Sequence, residues 1–136
     1  MAATPSPRIV NRVLMSLLLL LAAAAPGQTQ EWPPKTLRIM VPFGPGSTPD
    51  IVARVVADGL ARKYPASAFL VENKPGASGN LATDTVAKAA PDGATIGVSI
   101  GGPLAINTLL FSKLPYDPTT DIAPITQLVT QPSALA

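Results

Sequence analysis

The sequence has no cysteine and no histidine among its 136 residues. The first absence excludes disulfides, thiol catalysis and lipid attachment through a cysteine. It says nothing against an oxidising compartment, because no residue here uses that chemistry. The second excludes triads with a histidine base and metal sites built on imidazole. Charge is also scarce, with Asp, Glu, Lys and Arg making up 13% of residues, ten basic against eight acidic. Two of the basic residues, Arg8 and Arg12, fall in the first 27 positions, which hold no acid, so residues 28–136 carry eight of each sign. A balanced, scattered charge lacks the basic patch a nucleic-acid partner would require.

Arg8 and Arg12 precede "VLMSLLLLLAAAA", Val13–Ala25, an apolar run broken only by Ser16. The run is shorter than the roughly 20 residues of a membrane span and it ends in small side chains. Residues 1–27 are therefore read as a secretory signal peptide cleaved among Ala22 to Gly27, with an uncleaved anchor as the weaker reading. That assignment makes the mature chain an exported one. Residues 28–136 suit about one domain. Nothing marks Ala136 as a natural terminus.

The rest of the chain holds no internal repeat and alternates strand with helix. "TLRIMVPF" (Thr36–Phe43), "AFLVE" (Ala68–Glu72) and "TIGVSI" (Thr95–Ile100) read as strands, and "ITQLV" (Ile125–Val129) as a fourth. Between them Ile51, Val52, Val55, Val56 and Leu60 recur at helical spacing over Pro49–Lys63. Thr48 suits the N-cap, Pro49 the first helical position and Asp50 the first turn. Leu81–Ala90 is a second helix stopped by Pro91-Asp92-Gly93, and Leu104–Ser112 a short third. Trp32 is expected to pack under the sheet. This alternation predicts an α/β fold with an open, mostly parallel sheet and flanking helices.

In such sheets ligands bind beyond the carboxyl ends of the strands. Three glycine-rich turns lie at that edge: "FGPGSTPD" (43–50), "NKPGASGN" (73–80) and "SIGGP" (99–103). Glycines let backbone N–H groups approach a guest, and a helix start presents unpaired donors with partial positive charge. Ser47, Thr48, Ser78 and Asn80 add polar side chains. The natural guest is a carboxylate or a phosphate. The competing reading of each loop is an ordinary strand-to-helix turn. Gly44-x-Gly46 with Glu72 imitates a dinucleotide fingerprint, but Pro49 stands where the third glycine belongs and the gap to Glu72 is too long. Asp50 and Glu72 as a catalytic carboxylate pair compete with plainer roles, Asp50 at a helix start and Glu72 at a strand end.

The segments "WPPKTLRIMVPFGPGSTPDIVARVVADGLARKY", "VENKPGASGNLATDTVAKAAPDGATIGVS" and "LAINTLLFSKLPYDPTTDIAPITQLV" together resemble the Bug family, the periplasmic solute-binding components of tripartite tricarboxylate transporters. The resemblance runs from about Trp32 to Val129. It implies a two-lobed α/β protein that closes on small carboxylates and passes them to membrane permease subunits. It implies no enzymatic activity, no cofactor, no metal, no nucleic-acid partner and a monomer at full length. Carried onto this chain, the family's ligand loops correspond to Phe43, Gly44, Gly46, Ser47, Thr48 and Asp50, then Ala77, Ser78 and Gly79, then Ser99, Gly101 and Gly102. Pro49 departs from the usual loop and takes one N–H out of the cradle. The family's members run to roughly twice this domain-sized length, so the chain is expected to be the first lobe of such a protein and to bind weakly alone. Two alternatives stand beside that reading: a secreted phosphate- or nucleotide-binding enzyme domain, and a truncated remnant that binds nothing.

Overall fold

The computed structural model describes residues 32–132. The expected signal peptide lies outside the described residues. Among these, no helix is long and apolar enough to cross a membrane.

Three strands form one parallel sheet in the order β2-β1-β3: β1 Thr36–Val41, β2 Ala68–Asn73 and β3 Thr95–Gly97. β1 is central, and its Leu37, Ile39 and Val41 are fully buried, as a strand covered on both faces requires. Helix α1 (Thr48–Lys63) crosses from β1 to β2, and α2 (Asn80–Ala87) leads towards β3. Leu37, Ile39 and Val41 pack with Ala53 and Ala57 of α1, joined by Phe69, Val71 and Ile96. Gly97, next to Ile96, faces the other way, where a Cβ would stand 3.1 Å from Val86 of α2. Successive strand residues face opposite sides, so α1 and α2 cover opposite faces of the sheet.

The inward stripe of α1 differs from the one its apolar residues suggested. Asp50, Ala53 and Ala57 are buried, while Ile51 and Val55 are 55% and 64% exposed. Two alanines allow close approach to the sheet, and the helix is phased by Asp50, which turns inward. The cap also differs: Ser47 is the N-cap, and Thr48 and Pro49 are the first helical residues.

β3 ends at Gly97 rather than Ile100. Its last ladder contact is Val98 N–H donating to Met40 C=O at 3.0 Å. Beyond it the chain forms a wide turn, Gly102–Ile106, and a short helix α3, Asn107–Leu110. The expected fourth strand does not form: residues 125–129 pair with no sheet edge, and Ile125 is 81% exposed. Trp32 does not pack under the sheet. Half exposed, it meets Tyr64 edge-on with ring centroids 5.6 Å apart.

Candidate functional site

The loop after β1 is organised by a buried carboxylate. Asp50 accepts hydrogen bonds from Gly46 N–H at 2.9 Å, Arg54 Nε and Nη2 at 3.1 and 3.0 Å, and Asn73 Nδ2 at 2.9 Å. Asn73, at the end of β2, also donates to Phe43 C=O at 2.8 Å. The Arg54 bonds, then the Gly46 N–H and the Asn73 amide, hold the Asp50 carboxyl far below the usual carboxylate range. With its oxygens so occupied, the Asp50 side chain shapes the loop from within. Gly46, at φ +82°, spends its N–H on this bond. Ile51 N–H makes the first helical bond, to Ser47 C=O. Pro49 has no N–H, so Thr48 and Asp50 carry the N–H groups that lack an intrahelical acceptor at the start of α1.

The loop after β2 is strained. Gly76 and Gly79 have positive φ, and so do Ala77 (+48°) and Ser78 (+56°), side chains that rarely adopt it. Ala77 and Ser78 are exposed, whereas Gly79 is buried. A Cβ on Gly79 would stand 2.7 Å from Pro103 Cγ and 3.1 Å from Pro42 Cβ. Pro42 opens the first loop and Pro103 belongs to the third, so all three loops meet at this glycine. Three side chains that the sequence did not single out as a group support the junction: Asn80, Asn107 and Tyr116 are buried and hydrogen-bonded to one another.

A sheet ordered 2-1-3 reverses its winding between β1 and β3, and open α/β sheets take ligands at that switch point. Ser47 follows β1 and Ser99 follows β3. The hydroxyl oxygens of both are buried and have no hydrogen-bond partner within the chain. Gly101 is exposed and Gly102 half-buried on the same third loop. The expected residues thus fall into three groups. Ser47, Thr48 and Ser99 carry hydroxyls beyond the strand ends, those of Ser47 and Ser99 buried. Ala77, Ser78, Gly101 and Gly102 lie in the second and third loops, the first three exposed and Gly102 half-buried. Phe43, Gly44, Gly46, Asp50 and Gly79 set the shape of the loops.

Glu72 does not join Asp50 in a carboxylate pair. It lies beside Val71, on the opposite face of the sheet, and Arg38 grips it through two bonds of 2.6 and 2.7 Å. Among the described residues no cluster of acidic side chains could hold a metal ion. A shallow groove lined by Arg54, Ala57, Asp58, Phe69, Leu70 and Val71 runs along the α1–β2 flank. It lies away from the strand ends, and the strand-end rule favours the rim over it.

The family model described as "Tripartite tricarboxylate transporter family receptor" matches residues 52–136. A UPF0065 protein of Bordetella bronchiseptica is 36% identical over 126 residues, covering 92% of this chain and 37% of that protein. Protein BugT of Bordetella pertussis is 34% identical over 113 residues, covering 82% of this chain and 34% of its own length. Among solved structures, MatC from Rhodopseudomonas palustris with bound malate aligns at a TM-score of 0.66 and 39% identity, over 71% of this chain and 33% of that one. R. palustris Rpa4515 with adipate aligns at 0.63 and 38% identity, over 66% and 30%. The chain spans about a third of the length of these relatives, less than the half that the resemblance suggested. With a family model over residues 52–136 and a relative 36% identical across 92% of the sequence, the chain belongs to the tripartite tricarboxylate transporter receptor family, a family of binding proteins rather than enzymes.

Proposed function

We propose that this chain supplies the first half of a carboxylate clamp in a periplasmic receptor, which captures a small dicarboxylate and hands it to the permease subunits of a tripartite transporter. The observation that carries the reading is the pair of buried, unpartnered hydroxyls, Ser47 and Ser99, flanking the β1/β3 switch point. A buried polar group without a partner is costly, and a ligand carboxylate would accept from both. The Thr48 and Asp50 N–H groups lie at the start of α1, where the helix dipole favours an anion. Arg54 is already committed to Asp50, so the carboxylate would be held by neutral donors. Malate and adipate, bound by the two R. palustris relatives, have the chemistry such a rim would take.

The test is a calorimetric titration of malate into the wild type and into the Ser47→Ala/Thr48→Ala double variant. Loss of two hydroxyl bonds to a charged group implies at least about tenfold weaker binding. Equal affinities would remove the first loop from the site. At the length of this chain, without the remaining two-thirds of its relatives, the wild-type affinity is expected to be weak.

A further inference from the structure

We propose that Tyr116, Asn80 and Asn107 form a clasp that holds the second rim loop in its left-handed conformation against the third, making Tyr116 a positioning residue for the carboxylate site. The proposal rests on the rim reading above for its consequence, and on geometry alone for the clasp itself.

Tyr116 belongs to neither loop. It lies in the proline-punctuated "LPYDP" stretch, between Pro115 and Pro118, yet its hydroxyl reaches both rims. It stands 2.8 Å from Pro103 C=O in the third loop and 2.9 Å from Asn80 Oδ1 at the start of α2. Asn107 Nδ2 donates to the same Asn80 Oδ1 at 2.6 Å and lies 3.2 Å from Ser78 C=O. The Tyr116 hydroxyl has one proton, which it shares between these two acceptors; Asn80 Oδ1 also takes a proton from Asn107, and Asn107 ties the carbonyl of a strained residue to them. All three side chains are at most 6% exposed, so each must find its partners inside the protein.

The second loop needs such support. Non-glycine residues at positive φ persist only where the surroundings over-determine them, and Ala77 and Ser78 are both exposed. Their own side chains supply no anchor. The anchors are Asn107 on the Ser78 carbonyl and the contact of Gly79 with Pro42 and Pro103. The Tyr116 hydroxyl fixes the third loop to the same asparagine that Asn107 engages. A tyrosine hydroxyl is protonated at physiological pH, and burial raises its pKa further. A tyrosine serving only to fill the core would not need its hydroxyl at the meeting point of two loops.

The experiment uses the isotope-labelled full chain as wild type, Tyr116→Phe and Asn107→Ala. Gly79 N–H donates to Gly76 C=O across the strained loop, and Val98 N–H donates to Met40 C=O in the sheet. In Tyr116→Phe, exchange at Gly79 is expected to accelerate about tenfold, as loss of one buried hydrogen bond implies, while Val98 is unchanged. Asn107→Ala, which leaves the tyrosine ring in place, is expected to give the same pattern. Malate is then titrated while backbone amides are followed. The wild type responds at Thr48 and Asp50 and also at Ser78 and Gly79, whereas Tyr116→Phe keeps the first response and loses the second. Unchanged Gly79 exchange in both variants overturns the clasp, and so does acceleration that includes Val98, which would make Tyr116 an ordinary core residue. A loosened loop with both malate responses intact overturns the positioning role. A wild type silent to malate overturns the rim reading, and the exchange data then judge the clasp alone.

Discussion

Replacing Gly79 by alanine asks whether the three rim loops meet where the structure places them. The new methyl would stand 2.7 Å from Pro103 Cγ and 3.1 Å from Pro42 Cβ, at a φ of +89°. The left-handed conformation costs alanine about 1–2 kcal/mol. Forcing a methyl group between two proline rings adds about 1–3 kcal/mol. Alanine's smaller unfolded-state entropy offsets about 0.4–1 kcal/mol. The net loss is about 2–4 kcal/mol, which in a domain of this size lowers the Tm by upwards of about 8 °C. Two other glycines provide an internal scale. Gly46 has a φ of +82° but nothing within 4 Å, so Gly46→Ala carries the conformational cost alone, about 1 kcal/mol. Gly44 has neither a positive φ nor a neighbour within 4 Å, so Gly44→Ala is neutral or slightly stabilising. Urea unfolding of the three variants is expected to rank them Gly79, Gly46, Gly44 in order of loss. Gly79→Ala within about 0.5 kcal/mol of Gly46→Ala would refute the convergence of the loops, since the two share a left-handed φ and only the proline contacts separate them.

Two further perturbations follow from the same loops. Asp50 has its carboxyl pKa depressed in the folded chain by Arg54, Gly46 and Asn73. Its contribution to stability is therefore complete above its ordinary value and is lost as pH falls below about 4; Asp50→Asn should flatten that acid limb in urea titrations taken between about pH 2 and 5, and an unchanged slope would contradict the assignment. Ala77→Gly relieves a left-handed alanine, so the unfolding free energy should rise by about 0.5–1 kcal/mol, read as a higher urea midpoint at constant m-value; an unchanged midpoint would contradict the strain.

Much of the frame was legible from local pattern. The apolar run of β1 and the helix after it could be read because their signals are contiguous in sequence, and the glycine-rich turns then fell at one sheet edge by the logic of alternating strands and helices. The inward turn of Asp50 was not legible, because it depends on Asn73, 23 residues away. Without that partner, an acid in a first helical turn reads as a dipole charge and nothing more. The phase of α1 is not set by periodicity either: two alanines beneath a sheet outweigh Ile51 and Val55, which periodicity alone favours. Ser47 rather than Thr48 became the cap, a shift of one residue that leaves the Ser47 hydroxyl without a partner. The Asn80–Asn107–Tyr116 group joins residues 27 and 36 positions apart, beyond the reach of spacing arguments. Residues 125–129 carry strand-forming side chains, but a strand exists only where an edge accepts it.

The central claim is that the rim at the β1/β3 switch point holds a carboxylate. Its most direct test is the residue-by-residue response of backbone amides to malate. The account predicts shifts at Thr48, Asp50, Ser78 and Ser99, with the α1–β2 flank unmoved. Shifts confined to Arg54, Asp58 and Phe69, or none at all at saturating malate, would contradict it.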